Sequence, residues 1–150
     1  MVPHTHNTMF KLSRSHFNIS RVIQTTPDKL WDMLTDTMQW TKWGPTVKAV
    51  RFQSRYIRAG ATGHVKTVFG FWAPFMISEW ADGQYWSWHV FNIRATGHRI
   101  EVVDGRCCRL IFEVPLWAGP YGIICKIAAD RIARYLETGH SRDSNPSNND

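Results

Sequence analysis

The stretch at residues 25–50, TTPDKLWDMLTDTMQWTKWGPTVKAV, decides where the first helix of the fold begins. Thr26 is a favourable N-cap, because its hydroxyl can accept a hydrogen bond from a free backbone N–H of the first turn. Pro27 suits the first helical position, and Asp28 favours the positive end of the helix dipole. This order of residues predicts a helix that begins next to Thr26.

Apolar residues in the same stretch predict two short helices rather than one long helix. The first helix gains one apolar face from four large side chains, Leu30, Trp31, Met33 and Leu34. A second helical turn is predicted at residues 38–42, and the pair Gly44-Pro45 ends it. Upstream, residues 16–25 have the β-branched content and the partial alternation that are typical of a strand.

Residues 47–114 carry the pattern of successive antiparallel strands. Six segments are each bounded by Gly, Asp or Pro, at residues 47–54, 62–69, 74–80, 84–93, 98–103 and 106–114. The short connections at residues 82–83 and 104–105 favour hairpins. A long helix is predicted at residues 119–137, with apolar residues at helical spacing, namely Tyr121, Ile124, Ala128, Ile132 and Tyr135.

Alternation along the late strands predicts which side chains face the core. In residues 106–114, Arg109 and Glu113 share one parity, and apolar residues occupy the other. The same argument over the two preceding strands extends the buried face to Trp86, Trp88, His98, Ile100, Cys108, Leu110 and Phe112. The orientation of Trp88 stays open, because Tyr85 and Phe91 give its opposite face apolar character too. Glu79 would be a candidate buried base if it faced inward, but a surface pairing with a nearby Arg is the favoured alternative.

Length, composition and charge narrow the function classes. The 150 residues suit one domain, and 43% hydrophobic against 20% charged residues favour a folded chain. Eight tryptophans can fill a core or line a cavity for a planar apolar ligand. The net charge of +6 attracts polyanions, but the basic residues are scattered and no nucleic-acid-binding motif is present. We therefore expect no specific nucleic-acid partner.

Cysteine usage and the terminal segments bear on cofactors and location. Cys107, Cys108 and Cys125 are too few and too unevenly spaced for a disulfide framework or a zinc site, and His4 and His6 are interpreted as a chance pair. No phosphate-binding loop, nucleophile elbow or HExxH motif occurs, so we expect no metal and no cofactor. Since no signal-type or membrane-spanning segment is visible, we expect a soluble, cytoplasmic protein without stable membrane insertion.

Three segments, taken in order, resemble the SRPBCC (START-like) superfamily, and most closely its polyketide cyclase/dehydrase and lipid-transport family. They are residues 25–50 as quoted above, ISEWADGQYWSWHV at 77–90 and EVVDGRCCRLIFEV at 101–114. The first segment resembles the family's small-Pro-acidic helix start, followed by paired tryptophans before Pro and Val. The second and third resemble its hairpins, and the amphipathic helix follows as the family expects.

The resemblance implies an α+β helix-grip fold. A seven-stranded curved antiparallel sheet would wrap around the long C-terminal helix, with two short helices after strand 1. One domain would span residues 15–138, with mobile polar tails at 1–14 and 139–150. Family members bind or transport lipids, polyketides and other apolar molecules, and some catalyse cyclisation or dehydration. The expected partner is therefore an apolar small molecule between the sheet and the last helix, and the oligomeric state stays open.

The walls of this pocket follow from the alternation and from the resemblance. The expected ligand contacts are Trp86, Trp88, His98, Ile100, Leu110 and Phe112 on the sheet, and Tyr121, Ile124 and Ala128 on the helix. The resemblance places Trp40 and Trp43 near the pocket mouth. Exposed aromatic residues on a loop are costly unless they cover a pocket or touch a partner, so the aromatic run at 69–75 adds Phe69, Phe71 and Phe75.

His98 is the one candidate for catalysis, and its alternative interpretation is a core histidine hydrogen-bonded to the backbone, which we favour. Three functions stay open. The first is binding or transport of an apolar ligand, and the second is a cyclase, aromatase or dehydratase in which His98 or an ordered water moves protons. The third is a protein-interaction module without a ligand. The first is preferred because the predicted pocket has few polar groups.

Overall fold

The computed structural model describes residues 9–12 and 16–143 of the chain. The other positions, which include His4 and His6 and the rest of the two predicted tails, lie outside the described residues. The elements follow one another as β1 (Met9–Leu12), β2 (His16–Ile23), α1 (Pro27–Thr35), α2 (Trp40–Trp43), β3 (Val47–Arg51), β4 (Thr62–Thr67), β5 (Trp72–Ala81), β6 (Tyr85–Val90), β7 (Ile93–Asp104), β8 (Cys107–Pro115) and α3 (Tyr121–Asp143).

The strands form one antiparallel sheet in the order β1-β2-β8-β7-β6-β5-β4-β3. Each strand from β3 to β8 pairs with its neighbour along the chain, and β2 closes the arrangement by pairing with β8. The long helix α3 packs mainly against β2 and β8, and α1 and α2 lie beside it. The predicted α+β class, the antiparallel sheet and the long C-terminal helix are confirmed.

Both chain ends contribute more structure than the sequence predicts. All seven predicted strands are present, and β1 adds an eighth within the segment that was expected to be a mobile tail. It pairs with the edge of β2, from Met9 opposite Ser20 to Leu12 opposite Phe17, which satisfies backbone groups that an edge strand leaves unpaired. The helix α3 likewise runs on to Asp143, through backbone hydrogen bonds that need no apolar periodicity.

The N-terminal helix begins as predicted. The Thr26 hydroxyl accepts a hydrogen bond from the backbone N–H of Lys29, and Pro27 is the first helical residue. The end of α1 is held by side chains of α2, since the indole of Trp40 donates to the Leu34 carbonyl at 3.0 Å. The indole of Trp43 donates to the Met33 carbonyl at 2.9 Å. Both carbonyls belong to the last turn of α1, where no intrahelical donor remains.

The β6–β7 hairpin differs from the prediction. The sequence suggested a connection at residues 94–97, whereas β7 begins at Ile93 and the turn consists of Phe91 and Asn92 alone. Both turn residues have positive φ, 53° and 61°, as a type I′ turn requires. Such turns favour Asn and Gly, so a phenylalanine at the first position gives no turn signal in the sequence.

Side-chain faces follow the predicted alternation except at bulges. Trp86, His98 and Phe112 are buried as predicted, and Trp88 also faces inward, where its ring contacts Trp40. On β5, an extra residue between Ile77 and Glu79 shifts the register. The bulge turns Glu79 outward, where it accepts hydrogen bonds from Tyr85 and Ser87 and pairs with Arg94.

The inward face of α3 includes Ala128 and Ile132 as predicted, but its other buried residues are small. Tyr135 is exposed, whereas Cys125, Ala128, Ala129, Ile132 and Ala133 are buried. Near the start of the helix, a Cβ on Gly122 would lie 2.8 Å from the ring of Phe17 on β2. The helix therefore lies close against the sheet.

The connection between β3 and β4 is tied to the end of α1 by a buried ion pair. The Asp36 side chain is fully buried, and Arg55 donates to its Oδ2 from Nε at 3.0 Å and from Nη2 at 2.7 Å. Burial alone would raise the pKa of Asp36, but the hydrogen bonds from Arg55 and from the backbone N–H of Met38 outweigh it and lower the pKa. Thr37 also donates to the Arg55 carbonyl at 2.7 Å.

The closeness of β3, β4 and β5 can be tested at Gly63. A Cβ there would lie 2.8 Å from the Arg51 carbonyl oxygen and 2.8 Å from the ring of Phe75. Because a strand must shift to make room, we expect Gly63→Ala to lower the free energy of unfolding by about 1–3 kcal/mol in urea denaturation. Gly105→Ala is the control, because a Cβ there meets nothing within 4 Å. Equal stability of the two variants would contradict this packing.

Candidate functional site

A small apolar cavity lies where the sequence predicts the ligand pocket, between the sheet, α2 and the first turns of α3. Its volume is about 30 Å³, the space of one or two water molecules. Most of the side chains around it are aromatic or aliphatic. The lining consists of Trp40, Trp43, Gly44, Pro45, Thr46, Val47, Trp86, Trp88, Thr96, His98, Phe112, Tyr121, Ile124, Cys125 and Ala128.

Stacked rings occupy most of the space that a ligand would need. Trp40 and Trp86 stack at a centroid distance of 5.6 Å and an interplanar angle of 13°. The His98 ring lies on the other side of Trp86 at 3.7 Å and 20°. The edge of Trp88 meets this stack at 73° to Trp40 and 86° to Trp86. The close approach of α3 and these rings together account for the small volume.

The four indole N–H groups around the cavity differ in their partners. Trp40 and Trp43 donate to the end of α1, as described above, and Trp88 donates to the hydroxyl of Thr96 at 3.1 Å. The Nε1 of Trp86 is buried and has no hydrogen-bond partner among the described residues. A buried donor without an acceptor is costly, and among these four tryptophans only Trp86 carries that cost.

His98 is held as a neutral core histidine. Its Nδ1–H donates to the Trp86 carbonyl at 3.2 Å, which leaves Nε2 to accept from the Thr96 hydroxyl at 3.3 Å. Burial lowers the pKa of His98 to about 3, against a smaller opposing effect of the hydrogen bond to Trp86. The imidazole is therefore uncharged at neutral pH, and both of its nitrogens are already used.

Two further ionisable side chains border the cavity. Burial raises the pKa of the Cys125 thiol to about 12, so the group stays protonated. Burial also raises the pKa of Tyr121, although its hydrogen bond to Thr46 acts the other way. That bond, 2.8 Å between the Tyr121 and Thr46 hydroxyls, joins the first turn of α3 to the α2–β3 connection. We call this pair the latch, because it closes the cavity at the end where β3 begins.

The predicted site residues fall into three groups. Nine line the cavity: Trp40, Trp43, Trp86, Trp88, His98, Phe112, Tyr121, Ile124 and Ala128. Ile100 and Leu110 are buried in the core beyond it, and Phe75 contacts the rings of Trp40 and Trp88 from behind. Phe69 and Phe71 do not reach it, because the β4–β5 turn carries them into solvent, where their rings stack on each other at 6.4 Å.

Sequence reasoning missed several lining residues. Thr96 lies on the part of β7 that was interpreted as a connection, so no face could be assigned to it. Thr46 follows the helix-ending Gly44-Pro45 pair and shows no periodic signal. Cys125 does occupy the helix position one turn after Tyr121, and the spacing of the small residues in α3 could have identified it.

A larger depression of about 880 Å³ lies elsewhere on the sheet and shares only Phe75 with the predicted set. Its lining mixes apolar and polar side chains, and most of them are exposed. The residues are Arg51, Phe52, Gln53, Thr62, Gly63, His64, Pro74, Phe75, Met76, His89, Phe91 and Asn92. It is a solvent-facing surface groove rather than an enclosed cavity.

The described ranges, 9–12 and 16–143, contain neither a group of side chains suited to a metal ion nor a helix suited to a membrane. No cluster of three or more His, Cys, Asp or Glu side chains that could hold a metal ion occurs in them. No helix within the same ranges is both long enough and apolar enough to cross a bilayer. Cys107, Cys108 and Cys125 are free thiols and are buried.

Comparisons with known proteins agree with this architecture. A family model described as polyketide cyclase / dehydrase and lipid transport matches residues 14–137. No curated protein matches the chain.

Several solved structures share the fold. EF2215 from Enterococcus faecalis is 17% identical with a TM-score of 0.63, and the alignment covers 95% of this chain and 82% of that one. XoxI from Bacillus cereus is 11% identical with a TM-score of 0.66, and the alignment covers 84% of this chain and 98% of that one. DynU16, from the dynemicin biosynthetic locus, is 15% identical with a TM-score of 0.61, and the alignment covers 81% of this chain and 47% of that one. Similarity at these identities shows the fold alone.

The neutral state of His98 predicts a pH-dependent stability. The unfolded chain binds a proton on this residue below its ordinary pKa of 6.5, whereas the folded protein does so only near pH 3. The contribution of His98 is therefore complete above pH 6.5 and is lost as the pH falls from 6.5 towards 3, by up to about 1.4 kcal/mol per pH unit. Urea denaturation from pH 7.5 to 4.5 should show a steeper loss for the native protein than for His98→Gln. Parallel curves would mean that His98 is not buried in its neutral form.

Proposed function

The chain belongs to the polyketide cyclase/dehydrase and lipid transport family, and on that premise we propose that it binds an apolar small molecule between the sheet and α3. The ligand class is a lipid, a polyketide or an aromatic compound. Carriage of such a molecule needs no covalent chemistry, because the affinity comes from the apolar surface that both partners remove from water.

The observation that carries this proposal is an apolar cavity lined by Trp86, a residue whose indole Nε1 is buried and has no partner among the described residues. Ligand sites in proteins are apolar with a few polar groups that fix orientation. A carbonyl or ether oxygen of a ligand would accept the hydrogen bond that no described residue accepts. The favoured ligand is therefore apolar with one oxygen acceptor, rather than a pure hydrocarbon.

A drug-sized ligand needs roughly 300 Å³ or more, whereas the cavity has about 30 Å³. Binding must therefore move side chains, and the chain offers a short route. The latch is a single hydrogen bond between two neutral hydroxyls, worth about 1 kcal/mol. Behind it, Trp88 is only partly buried, and the hydrogen bond of its indole N–H goes to Thr96, while aromatic rings contact its faces and edge. Release of the latch and rotation of Trp88 would open a path towards Trp86.

The ionisation states around the cavity favour binding over catalysis. A general acid or base works best with a pKa near the working pH. Burial lowers the pKa of His98 to about 3 and raises the pKa of Cys125 to about 12, so neither group exchanges protons readily at neutral pH. Carriage is preferred over a cyclase or dehydratase for this reason.

Blocking the cavity from the α3 side tests the location of the ligand. Ile124 lines the cavity, whereas Ile127 is on the same helix, partly exposed and away from it. We expect Ile124→Phe to weaken binding at least about tenfold, because the larger ring occupies the ligand's space, and Ile127→Phe to leave the affinity unchanged. Affinity is measured by tryptophan fluorescence with a panel of polycyclic aromatic ketones and long-chain fatty acids.

Native mass spectrometry of the purified protein adds a direct search for a bound ligand that co-purifies. The location of the site is contradicted if both Ile variants bind equally well. The proposed function is contradicted if neither the panel nor mass spectrometry yields any apolar ligand of the native protein.

The latch predicts an effect on rates. Thr46→Val and Tyr121→Phe each remove the hydrogen bond and preserve side-chain shape. We expect each variant to release ligand about three to ten times faster, in line with the loss of one neutral hydrogen bond, with a smaller change in Kd. Stopped-flow displacement measures the release rate. Unchanged rates in both variants would show that the ligand does not pass between these two residues.

A further inference from the structure

Exposed apolar side chains are concentrated at one end of the sheet. Nine of the seventeen large hydrophobic residues that the described part of the chain exposes lie there. Phe69 is 84% exposed, and Trp117 and Ile123 are each 68% exposed. The full set is Val68, Phe69, Phe71, Phe91, Ile93, Leu116, Trp117, Tyr121 and Ile123. A cluster of this kind on a folded domain marks an interaction surface.

The topology explains why residues so distant in sequence meet at one end. In an antiparallel sheet whose strands follow one another along the chain, every second connection lies at the same end of the strands. The β4–β5 turn, the β6–β7 turn, the α2–β3 connection and the start of α3 after β8 all lie at the same end. We call this the docking end. The cavity approaches the surface there as well, at the latch between Thr46 and Tyr121.

The two ends of the molecule differ in the charged residues that they carry. The described connections at the docking end, with their flanks at residues 44–48, 66–72, 90–94 and 115–127, contain no Asp or Glu. They contain the basic residues Lys48, Lys66, Arg94 and Lys126, of which Arg94 is paired with Glu79 at 3.5 Å. At the opposite end, Asp82 lies in the β5–β6 turn and Asp104 ends β7, but Arg55, Arg58 and Arg106 lie in the connections of that end as well. The molecule therefore presents one apolar end whose described connections carry only basic charges, and one end of mixed charge.

The protruding rings are held in place by turn geometry. Phe91 has φ of 53° in its two-residue turn, a conformation that costs a bulky residue about 1–2 kcal/mol. The centroid of its ring lies 6.1 Å from that of Phe71, and the Phe71 ring stacks on Phe69. The three rings form a fixed aromatic ridge above the sheet end.

We propose that the docking end binds the surface of an anionic lipid bilayer, with the aromatic ridge and Trp117 in the interfacial region and the basic residues at the headgroups. Aromatic side chains are favoured at that depth, and basic residues near an anionic surface add attraction. The chemistry favours lipid over a protein partner, since the apolar side chains project from separate turns with cations among them.

This docking places the latch against the headgroups, so an apolar ligand could exchange with the bilayer without crossing water. The inference goes beyond the proposed ligand binding and does not rest on it. Vesicle binding and ligand titration are separate measurements. Either one can fail while the other succeeds.

The test is flotation with vesicles of phosphatidylcholine alone and with about 30% phosphatidylglycerol. We expect the native protein to float with the anionic vesicles, to bind neutral ones at least about tenfold more weakly, and to be released by about 0.5 M salt. Trp117 is the most exposed of the eight tryptophans, so brominated lipids should quench part of the emission. Trp117→Phe should remove that quenched part.

Two double variants locate the contact. Phe69→Ser with Phe71→Ser should reduce anionic vesicle binding at least about tenfold, because the ridge loses its apolar surface. Val102→Ser with Val103→Ser is the matched control at the opposite end, where the two side chains are 63% and 52% exposed, and it should bind like the native protein. Phe91→Asn, which suits the turn conformation and keeps the fold, should also weaken binding.

Three outcomes would overturn the proposal. The first is that the native protein binds neither the neutral nor the anionic vesicles. The second is that the double variants of the two ends lose vesicle binding equally, which would indicate general adhesion. The third is a concentration-dependent dimer in light scattering that the Phe69 and Phe71 changes abolish while vesicles stay unbound, which would make the docking end a protein interface.

Discussion

Two hydrogen bonds from α2 to α1 determine the arrangement of the aromatic wall. The indoles of Trp40 and Trp43 donate to carbonyls of the last turn of α1, so a four-residue helix is held at a fixed angle. Trp40 then stacks on Trp86, and Trp43 packs its edge against His98 and Phe112. A helix this short has little stability of its own, and the ring contacts of the site depend on these two bonds.

The cavity is small because the aromatic rings around it pack against one another. Trp86 lies between Trp40 and His98, and Trp88 closes the edge of the stack. A ligand must replace these contacts, so its affinity is the difference between ring–ligand and ring–ring packing. Aromatic compounds are suited to this exchange because they can reproduce the stacking that they disrupt. A flexible chain gains less from the same walls and pays more conformational entropy.

The sequence could predict those parts of the fold that follow local rules. Thr26 and Pro27 mark the helix start by capping chemistry, and the late strands show their buried face by period-two alternation. A register shift leaves no such signal: the bulge before Glu79 turns that side chain outward to pair with Arg94, the favoured alternative, but alternation alone does not show it. The cavity's walls were predictable by parity, but its volume was not, because it depends on how closely Gly122 and the small residues of α3 let the helix approach.

The two ends of the sheet are stabilised to different degrees, and the difference bears on where the protein can open. At the end opposite the latch, the buried Asp36 receives two hydrogen bonds from Arg55, and Thr37 ties the same loop to α1. Loss of Arg55 would leave the buried carboxylate of Asp36 without its partner, which is costly. At the latch end, one bond between neutral hydroxyls joins α3 to the α2–β3 connection. Local opening follows the weakest set of contacts, so the fold is expected to open first at the latch end, where apolar rings also face solvent.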